Sequence, residues 1–200
     1  MTEFKRLGDL LAADPRMPGD LSARHEEMAP LGLPEYVPSD IRAYFDTTRL
    51  LWVYGHFAYP FFAWADLHAR IAVERALRRR LGKDQARTGL GALLKEAIAR
   101  TLLTDEGLAG FHETIDLQLE QKQIEAEVRE MAALLGASPE EQEEFKSFVR
   151  ALVDPFAEAR HLGAHQGAAR NGTPRDTKET IKLARAIIIR LFRGGSANYA

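Results

Sequence analysis

From Ser39 onward the apolar positions recur at intervals of three and four, the period of an amphipathic helix. Ser39 or Asp40 caps a first helix whose inward positions run Ile41, Tyr44, Phe45, Leu50 and Leu51. Pro60 should kink it or divide it from the next helix, which carries Leu67, Ile71, Val73, Leu77 and Leu81 and stops at Gly82. Thr88 caps a third, with Leu90, Leu93, Leu94, Ile98, Leu102 and Leu103 inward. A fourth is expected over 110–135, ending at Gly136, and Ser138-Pro139-Glu140-Glu141 is a strong start for another. Asp154-Pro155 repeats the cap-plus-proline signal, and Thr173-Pro174-Arg175-Asp176 opens a last helix with Ile181, Ala184, Ile188 and Leu191 on one stripe, closed by Gly194-Gly195. No alternating run bounded by hairpin turns is present, and no internal repeat. The pattern predicts an all-α chain, most simply a helical bundle.

Residues 1–38 break that pattern. They hold five of the nine prolines, and apart from a short helix around Glu3 to Ala12 they are expected to form an extended arm wrapping the body or to be partly disordered. The organisation predicted is therefore an arm over 1–38, a helical domain over 39–195 and a short tail over 196–200. The longest apolar stretch, Leu50 to Ala65, is interrupted by Gly55, His56 and Pro60. It falls short of the roughly 20 residues of a membrane span, so buried structure is expected there.

Composition narrows the chemistry. Zero cysteine in 200 residues excludes a disulfide scaffold, thiol catalysis and cysteine-ligated metal, and suits a cytoplasmic location. The net charge of −2 is a cancellation. From His68 to Thr101 nine Lys/Arg face three Asp/Glu, giving +6; from Thr104 to Asp154 four face thirteen, giving −9; from Arg160 to Arg193 eight face two, again +6. The acidic stretch over 104–154 reads as an insertion in the helical domain, with Glu140 to Glu144 a solvated first turn. The basic stretches leave nucleic acid open as a partner.

The phosphate-loop, dinucleotide, zinc-protease and serine-hydrolase motifs are all absent: Gly89-Leu90-Gly91 follows no strand and no third glycine completes it. The most informative segment is Phe156 to Gly167, FAEARHLGAHQG, which gathers Arg160, His161 and His165. Arginine binds phosphate through a planar two-pronged fork, and histidine moves protons near neutral pH. Such a pair suits metal-free RNA cleavage, one group holding phosphate while the other transfers the proton. On an ideal helix, positions five apart diverge by about 140°. The pair then needs Gly163 to loosen the turn, or a second subunit. Two other readings stand beside it. Arg160 and His161 can simply flank a helix end, and Glu158-Ala159-Arg160-His161 matches one Glu-x-x-His unit of a di-iron bundle, although no second unit follows.

The rest of the candidate chemistry has bland counterparts too. Trp52, Tyr54, Phe57, Tyr59, Phe61, Phe62 and Trp64 read as core or a dimer interface, although bases also stack on such rings. His56 and His68 are expected at the edge of that core, their hydrogen bonds satisfied. Arg78, Arg79 and Arg80 suit either phosphate or a solvated C-terminal helix end. Arg170, Lys178, Lys182 and Arg185 are the corresponding candidates in the second basic stretch.

Arg160-His161-Leu162-Gly163-Ala164-His165 resembles the Arg–polar–x–x–x–His signature of HEPN domains (higher eukaryotes and prokaryotes nucleotide-binding). The stretch YFDTTRLLWVYGHFAYPFFAWADLHARIAVERALRRRLG, followed by GLGALLKEAI, resembles the paired first helices of bacterial members. The resemblance covers roughly Tyr44 to Leu103 and Pro155 to Phe192. It implies an antiparallel helical bundle that forms a homodimer, and metal-independent RNA endonucleolysis of the toxin or phage-defence kind. Arg160 and His165 would be the catalytic pair and His161 the polar residue, with no metal and no cofactor. An antitoxin or nucleotidyltransferase would be the partner. The alternative is a non-catalytic HEPN-like dimer that binds a protein or a nucleotide.

Overall fold

The computed structural model describes residues 11–17, 19–84, 88–104 and 173–193. All of the regular structure among them is helical: α1 (Leu21–Met28), a 3-10 turn (Ala29–Leu31), α2 (Ser39–Tyr54), α3 (Phe61–Leu81), α4 (Leu90–Ala99) and α5 (Pro174–Phe192). The helices and stops expected between 105 and 172, Gly194-Gly195, and all but the last two residues of the short helix expected around Glu3 to Ala12 lie outside the described residues.

α3 is the hub, packed against α2, α4 and α5. Its Ala65, Ala69, Ala72 and Ala76 recur at helical spacing and are fully buried, so neighbouring backbones approach closely. α2 runs antiparallel to it, since Arg79 near the end of α3 meets Asp40 at the start of α2, 3.3 Å away. α5 begins at the opposite end, beside the α2–α3 junction. There the Trp52 indole N–H donates to the Pro174 carbonyl (2.9 Å), and the buried Thr177 hydroxyl donates to the Phe62 carbonyl (3.3 Å). The expected stripe of α5, Ile181, Ala184, Ile188 and Leu191, is buried in full. Its cap is also as expected, with Thr173 Oγ1 accepting from the Asp176 N–H at 3.1 Å.

Five expectations change, beginning with the cap of α2: Pro38, and not Ser39 or Asp40, stands at the N-cap, without a side-chain bond. Residues 21–28, read as part of an extended arm, are helical because they form a proline-free interval capped by Asp20, which accepts from the Ser22 N–H. Met17, Met28 and Val37 from this region belong to the common core. Leu50, expected inward, is 48% exposed: nine residues after Ile41 it falls about 180° around the helix, and Thr48 takes the inward position. Thr88 does not cap α4; Gly89 occupies that position without a side-chain bond. α4 also stops at Ala99, where Thr101 turns to a left-handed φ of 56°, although Leu103 remains buried.

The α2–α3 turn is tightly packed. Gly55 is buried with its α-carbon facing the Phe62 ring, and a β-carbon there would overlap that ring. Phe62 in turn meets Trp52 and Tyr59 edge-on, at centroid distances of 5.8 and 5.3 Å. Gly55→Ala should therefore destabilise the chain by about 1–3 kcal/mol, through overpacking and not through backbone entropy. Urea denaturation checks this, and a neutral or stabilising result would contradict the close approach.

Candidate functional site

The nominated residues fall into two sets. Arg160, His161, His165 and Arg170 lie outside the described residues. Of the others, Arg78 pairs with Glu74 at 2.8 Å and donates to the Thr88 carbonyl at 2.6 Å, tying α4 to the end of α3. Arg79 pairs with Asp40, and Arg80 buries Nε without a hydrogen-bond partner. On α5, Lys178 is ion-paired with Glu27, Lys182 with Glu179 at 2.7 Å, and Arg185 donates to the Gly32 carbonyl at 3.0 Å. The fold does not bring these clusters together. Lys178 follows Thr177, which is bonded at Phe62, and Arg79 stands seventeen residues further along α3, about 25 Å away at helical rise.

Arginine does much of its work on backbone carbonyls. Helix ends leave their last carbonyls without partners, and proline supplies no N–H to meet them. Arg49 donates to the Met28 carbonyl through Nε and Nη2, at 3.1 and 3.0 Å, and to that of Ala29 at 2.7 Å. Arg42 donates to the Val37 carbonyl at 3.0 Å. With Arg185 on Gly32, three guanidiniums hold residues 28–37 against α2 and α5.

A carboxylate holds the preceding segment. Asp14 is buried and accepts from Arg16 Nε and Nη2 at 2.9 and 2.8 Å, from the Arg16 N–H at 3.0 Å and from the Tyr59 N–H at 3.1 Å. Its own N–H donates to the His56 carbonyl at 2.8 Å. The Arg16 side chain above all, then the two N–H donors, holds this carboxyl far below the usual carboxylate range against the opposing effect of burial. A depressed carboxyl stabilises the fold above its unfolded value of about 3.9, and that contribution is lost as pH falls below it. Asp14→Asn should therefore unfold more easily at pH 7, by a margin that shrinks towards pH 3; denaturation at both pH values checks it.

The α2–α3 surface carries a second cluster. The His68 ring lies parallel to Tyr44, with centroids 5.1 Å apart and planes 6° apart, and the exposed Arg75 guanidinium sits 4.1 Å from the Tyr44 centroid. His56 and His68, expected to be satisfied, each bury Nδ1 without a partner. For His68, burial first and the Arg75 charge second lower the pKa, so the ring is neutral at pH 7. Stability gained by keeping it neutral is complete above the unfolded value of about 6.5 and is lost as pH falls below that value. Melting temperature should fall more between pH 7.5 and 5.5 in the unmodified chain than in His68→Phe, which keeps a stacking ring; parallel profiles would contradict this. Charge counting along the chain registers Arg75 but not Tyr44, because the pair forms only when two helices align.

The aromatic block divides. Trp52 and Phe62 are core, whereas Tyr54 and Trp64 are exposed by 47% and 43%. Among the described residues no group of three or more His, Asp or Glu is placed to hold a metal ion, and no helix is long and apolar enough to cross a membrane. Compared with known proteins, the chain matches no family model, no curated protein and no solved structure.

Proposed function

We propose that the chain is a HEPN-like, metal-independent endoribonuclease of the toxin or phage-defence type, acting in the cytoplasm as a homodimer. The observation that carries this reading is the spacing of Arg160 and His165 shortly before a final helix in a helical chain. In that reading Arg160 binds the scissile phosphate and offsets the charge that develops on it, while His165 transfers the proton. His161 supplies a further polar group, and a second copy of the motif from the partner subunit completes the site. An antitoxin or nucleotidyltransferase encoded nearby would restrain the activity.

The test is incubation of the purified chain with single-stranded RNA in EDTA. Cleavage is expected, with His165→Ala and Arg160→Ala each slowing it by about 10²-fold or more. Expression of the unmodified chain, but not of the double variant, should slow host growth. No cleavage, or unchanged cleavage by His165→Ala, overturns the reading.

One observation favours the alternative of a non-catalytic dimer that binds a protein or nucleotide. Arg78, Arg79, Lys178, Lys182 and Arg185 all hold other parts of the same chain, which makes them poor phosphate contacts. On that reading neither substitution changes RNA cleavage or growth.

A further inference from the structure

Arg75 is unlike its neighbours on α3. Arg70 pairs with Asp66, Arg78 with Glu74 and Arg79 with Asp40, whereas Arg75 is exposed and makes no ion pair among the described residues. Its guanidinium rests on Tyr44, which leaves the N–H edge available to an oxyanion such as a phosphate. Tyr44 is itself held by the parallel His68 ring. One turn before His68, the indole of Trp64 stands 43% exposed. Trp64, His68 and Arg75 are spaced four and seven residues apart, so they lie within about 40° on one face of α3 and span about 16 Å.

We infer that this face of α3 binds single-stranded RNA, with a base stacked on Trp64 and a backbone phosphate held by Arg75. His68 and Tyr44 are positioning residues that fix the guanidinium. An exposed indole in line with an exposed guanidinium that has no ion pair among the described residues offers one surface for a π-face and another for a phosphate, the two features every nucleotide presents. Sixteen ångströms accommodates several stacked nucleotides, which rise about 3.4 Å each. An acidic peptide would use Arg75 and have no need of Trp64. A duplex hides its base faces and would gain nothing from the indole. The inference rests on the RNA reading above but not on the catalytic pair.

The test measures fluorescence anisotropy of a labelled, unstructured RNA oligonucleotide with full-length His165→Ala protein in EDTA, so that cleavage does not interfere. Added to that background, Trp64→Leu should weaken binding about tenfold while leaving the salt dependence unchanged. Arg75→Gln should weaken binding and reduce the log–log salt slope by about 0.7, the value for one phosphate contact on a single strand; Arg75→Lys should restore the slope. In the otherwise unmodified His165→Ala chain, RNA should also shield tryptophan fluorescence from acrylamide, since Trp52, the only other tryptophan, is 2% exposed. RNA binding unaffected by Trp64→Leu and Arg75→Gln, duplex RNA bound as tightly as single strand, or no binding at all would overturn the inference. Binding that behaves as expected in a chain that never cleaves RNA overturns the nuclease and leaves this face standing. Cleavage with binding indifferent to both substitutions does the reverse.

Discussion

A proline-rich segment cannot pair all its own carbonyls, and over residues 28–37 of this protein arginine side chains reach across to do so. Met28, Ala29, Gly32 and Val37 present carbonyls where α1 has ended and where Pro30, Pro34 and Pro38 have no N–H to offer. A carbonyl left without a partner costs most where it is fully buried, about 1–3 kcal/mol, and less at half-buried positions such as these. Guanidinium suits the task because one planar group carries several donors on a long stem, so Arg49 serves two carbonyls and still pairs with Asp46 at 2.6 Å. Residues 28–37 can therefore lie along α2 and α5 as ordered chain, and Met28 and Val37 can add to the core.

That arrangement changes what the charge distribution means. Two basic stretches of +6 suggest a broad positive surface for a polyanion. Most of their members in the described residues are consumed by carbonyls or by nearby carboxylates: Arg78 by Glu74 and Thr88, Lys178 by Glu27, Arg185 by Gly32. Formal charge survives such pairing, but part of the hydrogen-bonding capacity, and the freedom to reorient towards another partner, does not. A count along the chain measures the first, and recognition of phosphate depends on the second. A residue such as Arg75, whose contact is an aromatic face, retains more of that capacity than a paired one.

What was legible in the sequence was local. The Thr173-Pro174-Arg175-Asp176 cap, the stop at Gly82 and the inward stripe of α5 each depend on residues within a few turns, and each is found in place. Leu50 is apolar and lies near the intervals of the inward positions, but 100° per residue puts it opposite Ile41. α1 was hidden by the average proline density around it, which obscured a proline-free interval following Asp20. The arginine–carbonyl bonds and the Tyr44–His68–Arg75 stack were not readable, since both need the relative placement of elements far apart in the chain. Of the candidate catalytic motif, the sequence supplies the residue types and spacing, and residues 160–165 fall outside the described structure.

The two hydrogen bonds that seat α5 join residues 122 and 115 positions apart. Synthesis proceeds at roughly 5–20 residues per second, so Trp52 and Phe62 emerge about 6–24 seconds before the segment that covers them. For that interval the α2–α3 hairpin carries an open seam of large aromatic side chains on its inner face. The nascent chain therefore presents this apolar seam to the cell for seconds before α5 can close it, the kind of exposure that favours aggregation during synthesis.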